Sequence, residues 1–375
     1  MKKLSLNFKP FLIQHVLNRY NKDITMIIKI ITALLLLILP VSLSAQEQNI
    51  SLHLLFRIGD SETADENYIF KAEDVAADRD GNILVLDSYD RTVKVYSPAG
   101  KFISNFCRKG QGPAEIWFDP GKIRIDNNNM MIISGSFCRE FLVLNENVSE
   151  YDRFVLDGYW GKSFCVNSSS EIYISSCAPA VLKLNDKIRS KPPPKYLITG
   201  YDYTGEIISE FTKTDKVKDI TDYFINWSIL SVDSQDNLYV MYLHRNLIEK
   251  YSSSGQLLKS KVLFLEYRTE YQTHIDTHES EYGKNETIQP IFLSNPSQKN
   301  LEIDGNDRLW IYNITDNEFG FILLNTDLQN ISEIPIPGNF RDNTLKYIRH
   351  RIYRNRLYGI SPLGETVYVY RIIDN

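Results

Sequence analysis

The sequence has 375 residues and a formal net charge of −5, and 43% of its residues are hydrophobic, 12% aromatic and 24% charged. These values are those of a globular protein with ample apolar material for one large core. The mild acidity and the lack of a basic stripe exclude a nucleic-acid-binding surface as the basis of its function.

The first part of the chain predicts export. A short basic segment at Met26–Lys29 precedes the almost entirely apolar run Ile30–Leu39, and small residues follow up to Ala45. This is the layout of a secretory signal peptide, so we expect cleavage after Ala45. We therefore divide the chain into 1–45, an upstream segment plus signal peptide, and 46–375, one folded domain.

An uncleaved membrane anchor is the competing interpretation of this segment. The apolar run is short for a span of about 20 residues and contains Pro40, which favours cleavage and export. No Cys follows Ala45 directly, so we do not expect a lipoprotein. The start of the natural chain stays open between Met1 and Met26.

The stretch Ala77–Phe106 predicts one blade of a β-propeller. Its turn, Asp78–Asn82, contains Gly81, which accepts positive φ, among Asp and Asn residues that bond to their own backbone. Apolar runs flank this turn, a polar loop follows at Asp87–Arg91, and a second turn lies at Pro98–Gly100. Four short antiparallel strands in about 35 residues are typical of a propeller blade.

Looser copies of this stretch recur along the chain. The counterparts of Asp78 are Asp126, Asn167, Asp233, Asp304 and Ile352. The residue five positions later is apolar in every copy: Ile83, Met131, Ile172, Leu238, Leu309 and Leu357. The residue after that is large in every copy: Leu84, Ile132, Tyr173, Tyr239, Trp310 and Tyr358. Six copies predict an all-β fold, a six-bladed β-propeller with four antiparallel strands in each blade.

The two ends of the domain complement one another. The sixth copy stops at Asn375 after its third strand, whereas Ile50–Phe56 is a strand-like run with no copy of its own. We expect this N-terminal strand to complete the last blade and close the ring, which removes two exposed sheet edges. A β-sandwich with chance periodicity is the alternative, because short strands at even spacing are typical of that fold too.

The four cysteines leave two interpretations open. Disulfides are common in exported proteins, and three of the cysteines follow strands that end on one face of the disc. We therefore expect one bridge between two of Cys107, Cys138 and Cys177, while Cys165 lies within a first strand. Four buried thiols are the alternative, because free Cys is among the most buried residue types.

The segment Cys107–Ile116 reads C-R-K-G-Q-G-P-A-E-I. Together with the D-x-D-G-N-I-x-V-x-D pattern of Asp78–Asp87, it resembles the six-bladed β-propeller family of bacterial cell-envelope proteins, which are relatives of NHL-repeat propellers. Many members carry the signature G-x-G-Q-G-P-x-E-F, and the matching positions here are Gly110, Gln111, Gly112, Pro113 and Glu115. The resemblance covers the whole mature chain, and it implies a fold more than an activity.

The same loop offers candidate ligand-binding residues. It links the outer strand of one blade to the inner strand of the next, so we expect it to cross one face of the disc towards the axis. Arg108, Lys109 and Gln111 would then face a central ligand. The alternative is a structural crossover in which Glu115 bonds to backbone. Further candidates for ligand binding are Tyr159, Trp160, Trp227 and Arg124, the one cation in the predicted first strands.

The candidates for a metal site are fewer. His274 and His278 have the i, i+4 spacing that places two imidazoles on one helical face, but the Glu of an H-E-x-x-H motif is missing. We expect a solvated helical or irregular insertion at this point, between blades four and five. Glu302 is the only acid in the predicted first strands. We predict no cofactor, and a divalent cation is the one alternative that the sequence leaves open.

Two functions from different classes remain. Some six-bladed propellers, such as gluconolactonase-like proteins and peptide-amidating lyases, are enzymes that hold a divalent cation at the central channel. The polar residues expected on the corresponding face here are Asp87, Asp90, Asn226, His244, Asn313, Asp316, Asn317 and His350. No spacing selects a set from these residues, and no catalytic motif is present.

We therefore expect a binding or interaction module for a protein, peptide or glycan, exported to the periplasm or outer cell envelope. We expect it to be monomeric, without nucleic acid as a partner, and in contact with the membrane only if the signal segment stays uncleaved. The alternative is a metal-dependent hydrolase or lyase that uses the central channel.

Overall fold

The structure is a computed structural model, and it describes residues 50–59, 68–156, 160–177, 195–214, 226–243, 245–263, 271–280, 283–292, 300–314, 319–336 and 349–374. The chain divides into two units, Met1–Glu47 and Gln48–Asn375. The predicted signal peptide lies outside the described residues. Within the described residues, no helix is long and apolar enough to cross a membrane.

Six four-stranded antiparallel sheets form the blades of a β-propeller, as the repeat predicts. Blade one contains β2 (Ala72–Ala77), β3 (Ile83–Asp87), β4 (Thr92–Tyr96) and β5 (Phe102–Phe106). Blade two contains β6 (Pro120–Ile125), β7 (Met131–Gly135), β8 (Glu140–Leu144) and β9 (Glu150–Val155). Blade three contains β10 (Trp160–Val166), β11 (Ile172–Cys177), β12 (Tyr196–Tyr201) and β13 (Ile207–Lys213).

The second half of the ring follows the same plan. Blade four contains β14 (Ser228–Val232), β15 (Leu238–Tyr242), β16 (Leu247–Tyr251) and β17 (Leu257–Val262). Blade five contains β20 (Leu301–Ile303), β21 (Leu309–Ile314), β22 (Phe319–Leu324) and β23 (Asn330–Pro335). Blade six contains β24 (Arg349–Tyr353), β25 (Arg356–Ile360), β26 (Val367–Asp374) and, as its outer strand, β1 (Ile50–Ile58).

The N-terminal strand closes the ring, which confirms the prediction from the chain ends. β1 pairs antiparallel with β26, from Ile50 opposite Asp374 to Ile58 opposite Val367. It also makes the contact that other outer strands make with the following blade. A Cβ at Gly100, in the second turn of blade one, would lie 2.6 Å from the ring of Phe56 on β1. Gly205 lies against Phe154, and Gly255 against Phe211, in the same way.

The turn between the first and second strands explains why the repeat is visible in the sequence. The carboxylate of Asp78 accepts hydrogen bonds from the backbone N–H groups of Asp80 (2.9 Å) and Asn82 (2.8 Å). The residue three after Asp78 is in the left-handed region, with φ of 83° at Gly81. In the next four copies this position has φ between 57° and 70° and is occupied by Asn129, Ser170, Asp236 and Asp307. Gly, Asn and Asp tolerate this conformation best, so the turn selects them.

The core lies between the blades. Among the described residues, one apolar cluster fills each of the six contacts between neighbouring blades. The large residues that recur six positions after the Asp78 counterparts are all buried, from Leu84 in blade one to Tyr358 in blade six. Each of them packs towards the following blade, so the sequence repeat marks the residues that hold the blades together.

The segment between blades four and five differs from its prediction. It contains a β-hairpin, β18 (Tyr271–Ser280) paired with β19 (Gly283–Phe292), and not a helical or irregular insertion. Alternating polar and β-branched residues in β18, such as Thr273, Ile275 and Thr277, favour an extended strand over a helix. The i, i+4 spacing of His274 and His278 therefore does not place them on a helix.

Candidate functional site

The strand order gives the disc two different faces. In each blade, the connection between the second and third strands and the connection to the next blade lie on one face, here called the loop face. The short turns between the first and second strands, and between the third and fourth, lie on the opposite face, here called the turn face. Long connections and tight turns are thus separated, and propellers with this arrangement offer one variable surface.

Asp87, at the end of the second strand of blade one, organises part of the loop face. Its side chain is 0% exposed. The carboxylate accepts hydrogen bonds from the backbone N–H groups of Phe70 (2.8 Å), Lys71 (3.0 Å) and Tyr89 (3.2 Å). It also accepts one from Lys94 Nζ (3.1 Å), whose side chain is buried. A single buried carboxylate therefore fixes two surface segments that are 17 residues apart in the chain.

The two segments present aromatic rings to solvent. Phe70 and Tyr89 stack with their centroids 5.1 Å apart and an angle of 25° between the ring planes. Tyr68 packs edge-on against Phe70 at 4.7 Å, and Lys94 Nζ lies 5.2 Å from the centroid of Phe70. Tyr89 is nevertheless 72% exposed. The stack is thus fixed by the buried Asp87 and Lys94, while Tyr89 stays exposed to solvent.

Large apolar residues recur at the same position in the neighbouring blades. Tyr89 lies six residues after Ile83, the apolar position of the repeat in blade one. Phe137 and Leu363 lie six residues after the counterparts of Ile83 in blades two and six, which are Met131 and Leu357. Phe137 is 49% exposed and Leu363 is 73% exposed. These three residues, together with Phe70, are here called the apolar arc, and they lie on the loop face of three adjacent blades.

A cluster of charges occupies the central channel. Asp74 of β2 is buried, and Arg351 of β24 binds it at two points, Nε to Oδ1 (2.5 Å) and Nη2 to Oδ2 (2.9 Å). Arg124 of β6 donates from Nη1 to the same Oδ2 at 2.8 Å. Arg351 Nη1 also donates to Glu302 of β20. First strands from four blades therefore meet in one ion network.

The network fixes the charge of Asp74. Burial alone would raise the pKa of its carboxyl, but the charges of Arg351 and Arg124 outweigh burial and hold it well below its usual value. Lys122 lies two residues before Arg124 on β6, and its surroundings disfavour its charged form. Burial, followed by the charge of Arg351, lowers the pKa of Lys122 to about 8. Asp74 thus stays a carboxylate at neutral pH, and cations surround it.

This cluster corrects the prediction that Glu302 and Arg124 are the only charged residues of the first strands. β2 begins at Ala72, so that Asp74 belongs to it, and β6 and β24 add Lys122 and Arg351. When strands are predicted from apolar runs alone, each strand is predicted to end where charged residues begin. In a ring of first strands, however, opposite charges meet across the axis and neutralise one another.

The predicted ligand loop is held by its own glutamate. Glu115 accepts hydrogen bonds from the backbone N–H of Gly112 (2.8 Å) and from Arg108 Nε (2.6 Å), and these two bonds lower the pKa of its carboxyl. Lys109 forms a parallel bridge with Ile116. The structural role foreseen for Glu115 is thus present, and Arg108 is an exposed residue that already has an anionic partner.

The loop is attached to the outer strand of blade two. Arg153 of β9 donates from Nη1 and Nη2 to the carbonyl oxygens of Gln111 (3.2 Å) and Gly112 (2.8 Å). Its guanidinium also lies 4.8 Å from the ring of Trp117. The outer strand forms the rim of the disc, so Arg108, Lys109 and Gln111 lie near the rim and do not face a ligand on the axis.

The other predicted residues are spread over the chain. Arg124 belongs to the channel network, and Trp227 precedes β14 and packs against the cluster between blades four and five. Trp160 begins β10, and its side chain lies outside the described residues, as do all of Tyr159, His244, Asp316 and Asn317. Asn226 is buried, and Asn313 lies within β21. Tyr159 and Trp160 therefore remain predictions.

The metal candidates do not come together in the described part of the chain. Glu302 accepts hydrogen bonds from Arg351 and Asn300, so its carboxylate is already bound by a guanidinium and an amide group. His274 and His278 lie on β18 in the hairpin, and their side chains are outside the described residues. Among the described residues, no three His, Cys, Asp or Glu side chains are grouped as metal ligands.

The expected disulfide is not formed. Cys107, Cys138 and Cys165 are thiols, so no bridge joins two of Cys107, Cys138 and Cys177. Cys138 is buried in the cluster between blades two and three, whereas Cys107 packs at the contact between blades one and two. Burial raises the pKa of the Cys107 thiol to about 12. Cys138 and Cys165 are buried thiols, as the alternative interpretation has it, whereas Cys107 is only partly buried and the side chain of Cys177 lies outside the described residues.

The apolar arc is not predicted from the sequence. Tyr89 lies in the polar loop Asp87–Arg91, where an aromatic residue gives no periodic signal. Tyr89, Phe137 and Leu363 nevertheless share one position of the repeat, six residues after the apolar residues Ile83, Met131 and Leu357. The repeat thus contains the signal for the arc at this exposed position.

Solved structures of similar fold come from several bacteria. A member of the DUF4221 family from Bacteroides vulgatus is 11% identical, covers 88% of this chain and 100% of its own, and has a TM-score of 0.54. A candidate exported protein from Bacteroides fragilis is 12% identical, covers 88% and 96%, and has a TM-score of 0.53. Virginiamycin B lyase from Staphylococcus aureus is 9% identical, covers 86% and 100%, and has a TM-score of 0.50. At these identities the likeness concerns the fold alone.

No curated protein matches the chain significantly. The family model DUF5128, described as a 6-bladed beta-propeller, matches residues 46–348. The match confirms the resemblance that the repeats and the G-Q-G-P-x-E signature suggest. The chain therefore belongs to this family of 6-bladed beta-propellers.

Proposed function

We propose that this propeller is a binding module of the bacterial cell envelope, which holds a protein, peptide or glycan on its loop face. The observation that carries the proposal is the apolar arc, and above all the stack of Phe70 and Tyr89 fixed by Asp87. Export to the envelope is part of the proposal, and the signal-peptide layout of residues 26–45 supports it.

The exposure of the arc is the first argument. Transferring a large aromatic or aliphatic side chain from water to an apolar contact is favourable by roughly 1.5–3 kcal/mol. Leu363, Tyr89 and Phe137 leave much of this free energy unused in the folded protein. Single exposed apolar residues are common, but three at equivalent positions of adjacent blades favour an interaction surface, because exposed apolar patches mark interaction sites.

The rigidity of the stack is the second argument. Asp87 and Lys94 are buried, and together they bond to both segments that carry the rings. A surface that is already ordered loses little conformational entropy when a ligand binds. Tyr in particular offers a large contact area, few rotatable bonds and a hydroxyl group for a hydrogen bond. These properties suit the flat apolar face of a sugar ring or of a peptide side chain.

Arrays of envelope glycans and of envelope-protein peptides test the proposal. The exported protein is applied as wild type, as Tyr89→Ala and as the double variant Tyr89→Ala/Phe137→Ala. The matched control is Tyr151→Ala, which removes an exposed ring of β9 that packs against Tyr203 on the rim (centroids 5.7 Å apart). We expect ligands whose affinity falls at least about tenfold in the loop-face variants and is unchanged in the control.

Two results would contradict the proposal. One is the absence of any ligand on either array, and the other is a ligand whose affinity the loop-face variants leave unchanged. Thermal unfolding of each variant accompanies the binding measurement, because a variant that unfolds would mimic a loss of affinity. Tyr89 is 72% exposed, and its one aromatic contact among the described residues is with Phe70, so we expect its replacement to leave the fold intact.

A further inference from the structure

We propose that the turn-face end of the central channel binds a carboxylate monoanion on the free edge of the Arg124 guanidinium. This site lies on the opposite face from the apolar arc, so it goes beyond the proposed function and does not depend on it. Its ligand is any single carboxylate of small size, either a free organic acid or the C-terminal carboxylate of a peptide.

A cavity exists at this place. It has a volume of about 90 Å³, and Ala77, Ile125 and Tyr353, at the turn-face ends of β2, β6 and β24, line it. Arg124 and Arg351 line it as well. A cavity of this size with polar walls holds several water molecules or one small organic anion.

Arg124 is prepared for such an anion. Its Nη1 makes two hydrogen bonds, to Asp74 Oδ2 (2.8 Å) and to the carbonyl oxygen of Ile123 (2.7 Å). The ring of Phe164 lies 5.3 Å from the guanidinium carbon and supports one of its faces. Nε and Nη2 make no hydrogen bond to any residue that the structure describes. These two nitrogens form the edge that binds a carboxylate through two parallel hydrogen bonds.

The charges around the cavity favour one negative charge. Arg124 and Arg351 line the cavity as cations, and Glu302 lines it as a carboxylate. Behind this lining, the channel network adds the cation Lys122 and the carboxylate Asp74, so the whole cluster has an excess of one positive charge. Each carboxylate is already bound to an arginine. A monoanion neutralises the excess, while a dianion such as phosphate would face Glu302 with one uncompensated negative charge.

The apolar part of the cavity wall favours a ligand with an apolar carbon next to its carboxylate. Val75, Ala76 and Ala77 line the cavity beside Arg124. They offer contact to a methyl or methylene group next to the carboxylate but no further donor from a side chain. Acetate is therefore the simplest probe that carries both parts, the charged head and one apolar carbon.

Calorimetric titration with sodium acetate tests the proposal on the folded protein. We expect one acetate to bind per chain, and we expect Arg124→Gln to weaken binding at least about tenfold. The matched control is Arg349→Gln on β24, because Arg349 pairs with Glu73 outside the cavity. This control should leave the affinity for acetate unchanged.

A second variant keeps the test valid if Arg124→Gln does not fold. Ala76→Val narrows the cavity without removing a charge, and valine is well tolerated in a strand. It should weaken acetate binding as well. No acetate binding by the wild type, or equal affinity in the wild type, Arg124→Gln and Ala76→Val, would overturn the proposal.

Competition with short peptides distinguishes the two sources of the carboxylate. A tripeptide with a free C-terminus that displaces acetate, while its amidated form does not, identifies a chain terminus as an acceptable ligand. Displacement by small organic acids but by neither peptide restricts the site to free acids. Displacement by the amidated peptide would contradict the role of the carboxylate.

Discussion

His350 should make the fold sensitive to mild acid. The side chain is 1% exposed, and its ring lies 4.6 Å from that of Phe321 and 5.1 Å from that of Tyr312. Neither ring nitrogen has a hydrogen-bond partner within the described structure. Burial, assisted by the charge of Arg351, lowers the pKa of His350 from 6.5 to about 3. The folded protein therefore holds the neutral imidazole down to strongly acidic pH.

The sign and size of the effect follow from this difference in pKa. The unfolded chain takes up a proton at His350 near pH 6.5, whereas the folded chain does so only near pH 3. The stability that this group contributes is complete above 6.5 and is lost as the pH falls towards 3. Each pH unit below the unfolded value costs up to about 1.4 kcal/mol, so the loss between pH 7 and pH 5 is about 2 kcal/mol.

Urea unfolding of the wild type and of His350→Phe at pH 7 and at pH 5 measures the effect. Phe cannot titrate, and it can occupy a site between two aromatic rings. Between pH 7 and pH 5, the free energy of unfolding of the wild type should fall by about 2 kcal/mol more than that of the variant. His53→Gln, on the exposed side of β1, controls for the loss of an imidazole. Parallel pH profiles of the wild type and His350→Phe would refute the reasoning.

Three further perturbations test the fold and the loop face. Gly100→Ala should cost at least about 1 kcal/mol more stability than Gly81→Ala, because both residues have φ near 80° but only Gly100 lies against Phe56; equal losses in thermal unfolding would show that the contact is unimportant. Asp87→Asn should destabilise by about 1.5–3 kcal/mol, since it removes the charged hydrogen bond to the buried Lys94 but leaves Lys94 its ion pair with Asp90 at 3.7 Å; a loss below about 0.5 kcal/mol in urea unfolding would contradict this. Removal of β1 up to Gly59 should abolish cooperative unfolding, whereas removal of residues 1–45 should not, and circular dichroism melting distinguishes the two.

The repeat made the fold predictable from sequence because propeller blades reuse one turn and one interface. The turn at Asp78 requires a residue that tolerates positive φ, and the interface requires a large apolar residue such as Tyr239 or Trp310. The interface requirement recurs in all six blades and the turn requirement in the first five, so both become periodic. The closing strand β1 was predictable for a related reason, since the sixth copy lacked an outer strand.

The sites were less predictable because they depend on contacts that occur once. Asp74 directly precedes an apolar run in the sequence, and only the ring brings Arg351 to it from 277 residues away. The hairpin β18–β19 has no counterpart in other blades, so the repeat gave no guidance there. The position of the loop at Arg108 follows from Arg153, which the chain order does not place near it.

Photo-crosslinking tests most directly the central claim that ligand binding takes place on the loop face. A benzophenone amino acid replaces Tyr89 in one protein and Tyr151 in another, and each is irradiated with a ligand selected on the arrays. We expect a crosslinked complex from position 89, competed away by unlabelled wild-type protein, and none from position 151. Equal crosslinking at the two positions, or crosslinking at 151 alone, would contradict it.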